Sequence, residues 1–171
     1  ISVSSSPVPI PNLAPTPAPI QSFDPTVVGS VTLPKRKGYL STSTSLSISD
    51  FYVSGGYAYI SSTVDDNEKT TRGRLYVVNI TNPSAPAIAG SLKTKYPPHA
   101  IYVSGNYAYM AMDSSSLQIV DISLPFAPVI VGSIEIPGNK PGGIYDIYVS
   151  GNYAYVTNAR DGLSVVDVSV P

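Results

Sequence analysis

The chain has no cysteine and no tryptophan, and only one histidine and two methionines in 171 residues. Without cysteine there is no disulfide bridge and no thiolate chemistry, and the redox compartment is left open. Charge is scarce as well. Lys, Arg, Asp and Glu make up 12% of the residues and the formal net charge is −1, which gives no electrostatic footprint for nucleic acid or an anionic membrane. No apolar run approaches the roughly 20 residues of a membrane span, so membrane insertion is not expected. The start, "ISVSSSPVPIPN", has neither a basic opening nor an unbroken apolar stretch and is not a signal peptide. With no initiator methionine, the expectation is a mature or trimmed product. The length suffices for one domain with a real core.

What is present is repetition. "FYVSGGYAYI" (Phe51 to Ile60), "IYVSGNYAYM" (Ile101 to Met110) and "IYVSGNYAYV" (Ile147 to Val156) are nearly the same phrase, with Gly55, Gly105 and Gly151 spaced 50 and 46 residues apart. A second phrase follows each: "LYVVNITNP", "LQIVDISLP" and "LSVVDVSVP", from Leu75, Leu117 and Leu163. A third, "APAIAGSL" or "APVIVGSI", follows at Ala85 and Ala127. Each repeat reads as four strands. Ser-Gly-Asn or Ser-Gly-Gly turns a hairpin between the first two, the third is rich in β-branched residues, and the fourth begins after a proline. No stretch has a helical period. Four antiparallel strands every 40 to 50 residues predict propeller-like blades, and the class is all-β.

The phrases "LQIVDIS", "LYVVNIT" and "LSVVDVS", with "VSGNYAYV" and P-x-x-x-G-S, resemble the LVIVD repeat over Asp24 to Pro171. That family is a β-propeller-type repeat of bacterial and archaeal, often surface-exposed, proteins. The resemblance implies a four-stranded blade and no shared catalytic residues. Three copies are fewer than the four to eight blades of closed propellers.

The last repeat ends in "SVVDVSVP", where its fourth strand should begin, while "SFDPTVVGSVTLP" (Ser22 to Pro34) aligns with "PFAPVIVGSIEIP". The expected arrangement is therefore three four-stranded antiparallel blades circularly permuted by one strand. Residues 22–171 form this domain, with 22–34 completing the last blade in cis or in trans. Strand addition of that kind joins subunits and removes a free edge. Val27, Val31 and Leu33 are expected on one side of the strand and Val28 on the other, with about 6 to 12 kcal/mol as an upper bound for burying all four. Residues 1–21 carry proline at 7, 9, 11, 15, 17 and 19, which favours an extended polyproline arm reaching roughly 60 Å. Val8, Ile10, Leu13 and Ile20 are its apolar anchors for a neighbouring subunit.

Chemistry is thin, with no nucleophile, base and orienter grouping. No catalytic, cofactor or metal residue is assigned. His99 is expected to be structural or at the surface. Asp65 to Lys69, "DDNEK", lacks the glycine and distant glutamate of a calcium loop and reads as a solvated insertion. Asp50 and Asp146, like Asp121 and Asp167, recur in register and read as turn or hydrogen-bond residues. The tyrosine pairs 57/59, 107/109 and 153/155 read as inter-blade packing rather than a sugar platform. Lys35, Arg36 and Lys37 read as a solvated run. Asn79-Ile80-Thr81 is a glycosylation sequon, and Thr16 in the arm is a candidate for O-linked sugar. The functional expectation is a non-enzymatic, extracellular or cell-surface structural protein whose partners are copies of itself, joined into a filament or surface assembly, with covalent glycans as a further candidate partner. The alternative is a glycan- or protein-binding propeller, as a fragment or a closed oligomeric ring.

Overall fold

The structure, a computed structural model, describes residues 26–33, 46–65, 71–137, 143–158 and 162–170. The expected proline arm, with Val8, Ile10, Leu13, Thr16 and Ile20, lies outside the described residues, as do Lys35 to Lys37 and residues 66–70. The described residues hold eleven strands and no helix. Blade 1 is β1 (Leu46–Ser54), β2 (Tyr57–Asp65), β3 (Thr71–Asn79) and β4 (Ala87–Thr94). Blade 2 is β5 (Pro98–Ser104), β6 (Tyr107–Met112), β7 (Ser116–Asp121) and β8 (Val129–Glu135). Blade 3 is β9 (Ile144–Ser150), β10 (Tyr153–Asn158) and β11 (Gly162–Asp167). Every pair is antiparallel between chain neighbours. All-β blades are as the repeats predict, and blade 3 has three strands where the other two have four.

The hairpin glycines do what the sequence asks of them. Gly105 has φ 57° and Asn106 after it is not in the left-handed region, the sign pattern of a type II′ turn, and Gly151 repeats it. In the first copy Gly56 replaces the asparagine, and both Gly55 and Gly56 take positive φ, the pattern of type I′. Either turn matches strand twist, so the substitution leaves the register intact. Ala58 pairs with Val53 as Ala108 pairs with Val103. The third strand then returns to the same turn. Ile80, Ile122 and Val168 donate their amides to the carbonyls of Gly56, Asn106 and Asn152 at 2.9, 2.8 and 2.8 Å.

Alternation along each strand sends one set of side chains to the blade before and the other to the blade after. Between blades 1 and 2, Tyr59, Leu75 and Val77 meet Ile101, Val103, Ala108, Met110 and Val120. Between blades 2 and 3, Tyr109, Leu117 and Ile119 meet Ile147, Val149, Ala154 and Val156. The two interfaces are thus one design used twice, and the YAY tyrosines of blades 1 and 2 belong to it, with Tyr59 and Tyr109 both 5% exposed.

The repeated aspartates also act on the backbone. Asp50 accepts from the amide of its neighbour Phe51 at 2.8 Å with Oδ1, and from Ile101 of the next blade at 3.0 Å with Oδ2. Blade 2 has Ala100 at that position, so the amide of Ile101 takes its acceptor from blade 1. In blade 3, Asp146 serves its own Ile147 at 2.8 Å. Asp50→Ala leaves two amides without this acceptor and is expected to cost about 1 to 3 kcal/mol in urea unfolding. A loss below a few tenths would show that water replaces the carboxylate.

Candidate functional site

The strand-like segment 26–33 belongs to no ladder among the described residues, yet it is seated on blade 1. Leu33 is 7% exposed and forms a cluster with Tyr76 and Val78, joined by Val31, Ala58, Ile60 and Ile80. A β-carbon placed on Gly29 would run into the Pro83 carbonyl oxygen and stand 3.0 Å from Cδ of Pro86. Gly90 of β4 meets blade 2 in the same manner, against the carbonyl oxygen of Pro125 and Cα of Phe126 at 2.9 Å. Pro83 and Pro125 are equivalent in the repeat. The segment therefore stands to blade 1 as β4 stands to blade 2.

Its side chains divide differently from the expectation. Val31 and Leu33 pack inward, but Val27 is 90% exposed, and Val28 is 63% exposed. A strict period of two had put Val27 with Val31 and Leu33. The repeat-equivalent strand β4 is irregular at this point, with Val77 opposite Gly90 and Val78 opposite Ile88, and both valines before Gly29 are exposed. Strand alternation was legible in the sequence and the irregularity at the glycine was not.

At the other end of the row, blade 3 turns outward the face that blades 1 and 2 bury. Leu163 and Val165 are 59% and 57% exposed, whereas Leu75 and Val77, their counterparts in blade 1, are both 0% exposed. Tyr148 and Tyr153 are exposed on the same side. Along β11, the described ladder partner is β10 alone.

One tyrosine of each first strand forms a column through the blades. The rings of Tyr52 and Tyr102 lie 4.8 Å apart, and those of Tyr102 and Tyr148 lie 5.0 Å apart. Hydrogen bonding to the Tyr52 hydroxyl, then desolvation and the charge interaction with Tyr52, with a smaller hydrogen-bond and charge contribution from Tyr148, pushes the Tyr102 phenol up to about 12. An unfolded tyrosine ionises near pH 10. Between about pH 10 and 12 the folded chain keeps a proton that the unfolded chain releases, so this contribution is complete below pH 10 and is lost as the pH rises through that window. Tyr102→Phe is expected to flatten that alkaline loss in urea titrations at a series of pH values. An unchanged slope would show that Tyr102 does not govern it.

The remaining candidates fall in ordinary places. Nε2 of His99 lies 3.2 Å from Oδ1 of Asp113, and its ring is 5.8 Å from that of Tyr145. Asp121 and Asp167 accept the amides of Ser123 and Ser169 at 2.8 and 2.9 Å. For Asp121 the amide, and for Asp167 the serine hydroxyl, is the main cause of a carboxyl held below its usual range. Asn79 makes the same turn, its Oδ1 accepting from the amide and hydroxyl of Thr81 at 2.9 and 2.7 Å. Among the described residues no three His, Cys, Asp or Glu side chains group as metal ligands, and no helix is long and apolar enough to cross a membrane.

One feature escaped the sequence reading. Among the described residues, all lysines and arginines lie on the outer hairpin of blade 1 or just after it: Arg72, Arg74, Lys93 and Lys95. A cleft of about 450 Å³ is lined by Thr71, Arg72, Lys93, Thr94, Lys95 and Tyr96. The signal was present as pairs of cations on adjoining strands, but only the β3–β4 register brings Arg74 opposite Lys93.

Three stretches of the chain, residues 47–94, 99–135 and 141–171, match the model of the LVIVD repeat. The chain belongs to the LVIVD-repeat family. LVIVD repeats are β-propeller-type repeats, and the three matches cover the three blades. No curated protein matches the chain at a significant level. Family membership accounts for the blades and their shared interfaces. It assigns no chemistry to the cleft, the tyrosine column or the two end faces of this LVIVD-repeat chain.

Proposed function

We propose that the protein is a non-enzymatic structural subunit, extracellular or at the cell surface, that joins copies of itself head to tail into a filament. The observation that carries this reading is the seat of residues 26–33. They occupy, against blade 1, the place of a fourth strand from a preceding blade, while blade 3 has three strands among the described residues. In a head-to-tail row the segment of one copy completes blade 3 of the copy before it. Its backbone then satisfies the open edge of β11, and its apolar side chains fix the register. The proline-rich arm, residues 1–21, extends along the neighbouring copy. The permuted four-stranded blade is part of the same proposal. A low-charge surface and the sequon at Asn79 suit a glycan-coated exterior, with Thr16 as a further acceptor. A measured intact mass equal to that of the bare chain would remove the glycans from this reading.

A heterologous joint of this kind gives a filament or a closed ring according to the rotation between copies, and two copies would supply six blades, within the range of closed propellers. Electron microscopy of native material, at a resolution that traces Thr26 to Leu33, tests the proposal. Entry of the segment into blade 3 of the next copy along an extended array is the expected result. A discrete ring would sink the filament, and a segment that closes on its own chain would sink the joint.

A second reading, a binding module for acidic glycans, draws on the cationic cleft beside Tyr96. Arg72, Lys93 and Lys95 would hold carboxylate or sulfate groups, and the aromatic ring would stack on a sugar. Binding of sulfated oligosaccharide that is unaffected by Arg72→Ala together with Lys93→Ala would dismiss this site.

A further inference from the structure

Resting on the head-to-tail reading, we propose that the exposed face of blade 3 docks on the exposed face of blade 1 of a second copy. In that joint the tyrosine column continues, Tyr148 stacking on Tyr52 of the second copy.

The repeat makes the two faces halves of an interface already present twice. Tyr148, Tyr153, Tyr155, Leu163 and Val165 occupy in blade 3 the positions of Tyr52, Tyr57, Tyr59, Leu75 and Val77 in blade 1. That set closes the junction of blades 1 and 2. The receiving side is matched as well. Phe51, Val53, Ala58, Ile60 and Val78 stand where blade 2 presents Ile101, Val103, Ala108, Met110 and Val120.

What is already covered on blade 1 identifies what is still to come. The segment 26–33 shields Tyr76 and Val78 on β3 and part of β2, the region that a fourth strand would cover. Ile48, Phe51 and Val53 of β1 stay 57%, 63% and 52% exposed. Those are the residues that the first strand of a preceding blade would bury, as β1 lies against β5 and β5 against β9. A blade with three strands among the described residues and an exposed tyrosine on its first strand is the matching occupant, and blade 3 has both. The column sets the alignment, since two successive ring contacts of 4.8 and 5.0 Å leave Tyr148 as the open end and Tyr52 as the start of the next.

The test is sedimentation velocity of the full chain over a concentration series, with Tyr148→Ala, Tyr148→Phe and Tyr145→Ala beside the wild type, each checked for fold by circular dichroism. Tyr145 is similarly exposed but faces His99, so it is the control. Tyr148→Ala is expected to raise the concentration for half-association about 30-fold or more, in the range of an aromatic interface anchor. Tyr148→Phe, which keeps the ring, should cost less than about tenfold, and Tyr145→Ala should match the wild type. Wild-type-like association of Tyr148→Ala, with association lost in Gly29→Ala, would overturn this docking face while leaving the strand joint standing. A wild type that stays monomeric at every concentration would overturn the head-to-tail reading and this inference with it.

Discussion

Gly29→Ala is expected to give a folded monomer that associates at least about 100-fold more weakly than the wild type. The added methyl has no room where the segment passes blade 1. It would overlap the carbonyl oxygen of Pro83 and crowd Ser84 at 3.1 Å and Pro86 at 3.0 Å. The turn it meets is held by its own hydrogen bond, from the amide of Ala85 to the carbonyl of Asn82 at 3.0 Å, so the segment must lift away. Val31 and Leu33 leave with it. The blades do not depend on the segment for their ladders, so circular dichroism and the urea midpoint should change little. The factor of about 100 corresponds to roughly 2.7 kcal/mol, comparable to the burial of one large aliphatic side chain. Sedimentation velocity measures it. Association equal to the wild type would mean that the segment plays no part in any joint.

Gly90→Ala, the same substitution at the equivalent position, is expected to act on the fold instead, lowering stability by about 3 kcal/mol in urea titration, at the upper end for overpacking. Here the methyl would meet the carbonyl oxygen of Pro125, with Cα and C of Phe126 at 2.9 and 3.0 Å, and the obstacle is backbone. That turn is tied by the amide of Ala127 to the carbonyl of Leu124 at 2.9 Å. Unlike the segment, β4 cannot lift away, because its ladder with β3 runs from Gly73 and Thr94 to Asn79 and Ala87. Relief has to come from parting blades 1 and 2, along the interface that holds Leu75 and Met110, both fully buried. A loss under about 1 kcal/mol would show that the blades slide past each other at little cost.

The two glycines also show how far the sequence could be read. Blade number, strand order and hairpin turns were legible, because each depends on local periodicity and turn chemistry repeated three times. The repeated aspartates were legible as hydrogen-bond residues, but not the reach of Asp50 across to Ile101, which depends on the spacing of two blades. The irregularity of β4 at Gly90, equivalent to Gly29, was hidden because alternation assumes an unbroken strand. The cationic cleft was hidden for a related reason: Arg72 and Lys93 are far apart in sequence and meet only through the β3–β4 register. The tyrosine pairs 57/59 and 107/109 pack between blades as expected, whereas Tyr153 of the third pair is exposed on the outward face of blade 3. Tyr52, Tyr102 and Tyr148 share one position of the repeat, but only the stacking of the blades shows that their rings form a column.

The bond from Asp50 to Ile101 makes the two blade junctions unequal. In a row of repeats, stability is the sum of what each unit holds by itself and what it shares with its neighbours. Blades 1 and 2 share a charged acceptor besides their apolar contact, while the aspartate of blade 3 is spent on its own strand. Blade 3 also has one ladder fewer. Opening of an isolated chain should therefore be graded: amide protons of β9 to β11 exchange first, and those of β3 and β6 persist until the first two blades come apart together.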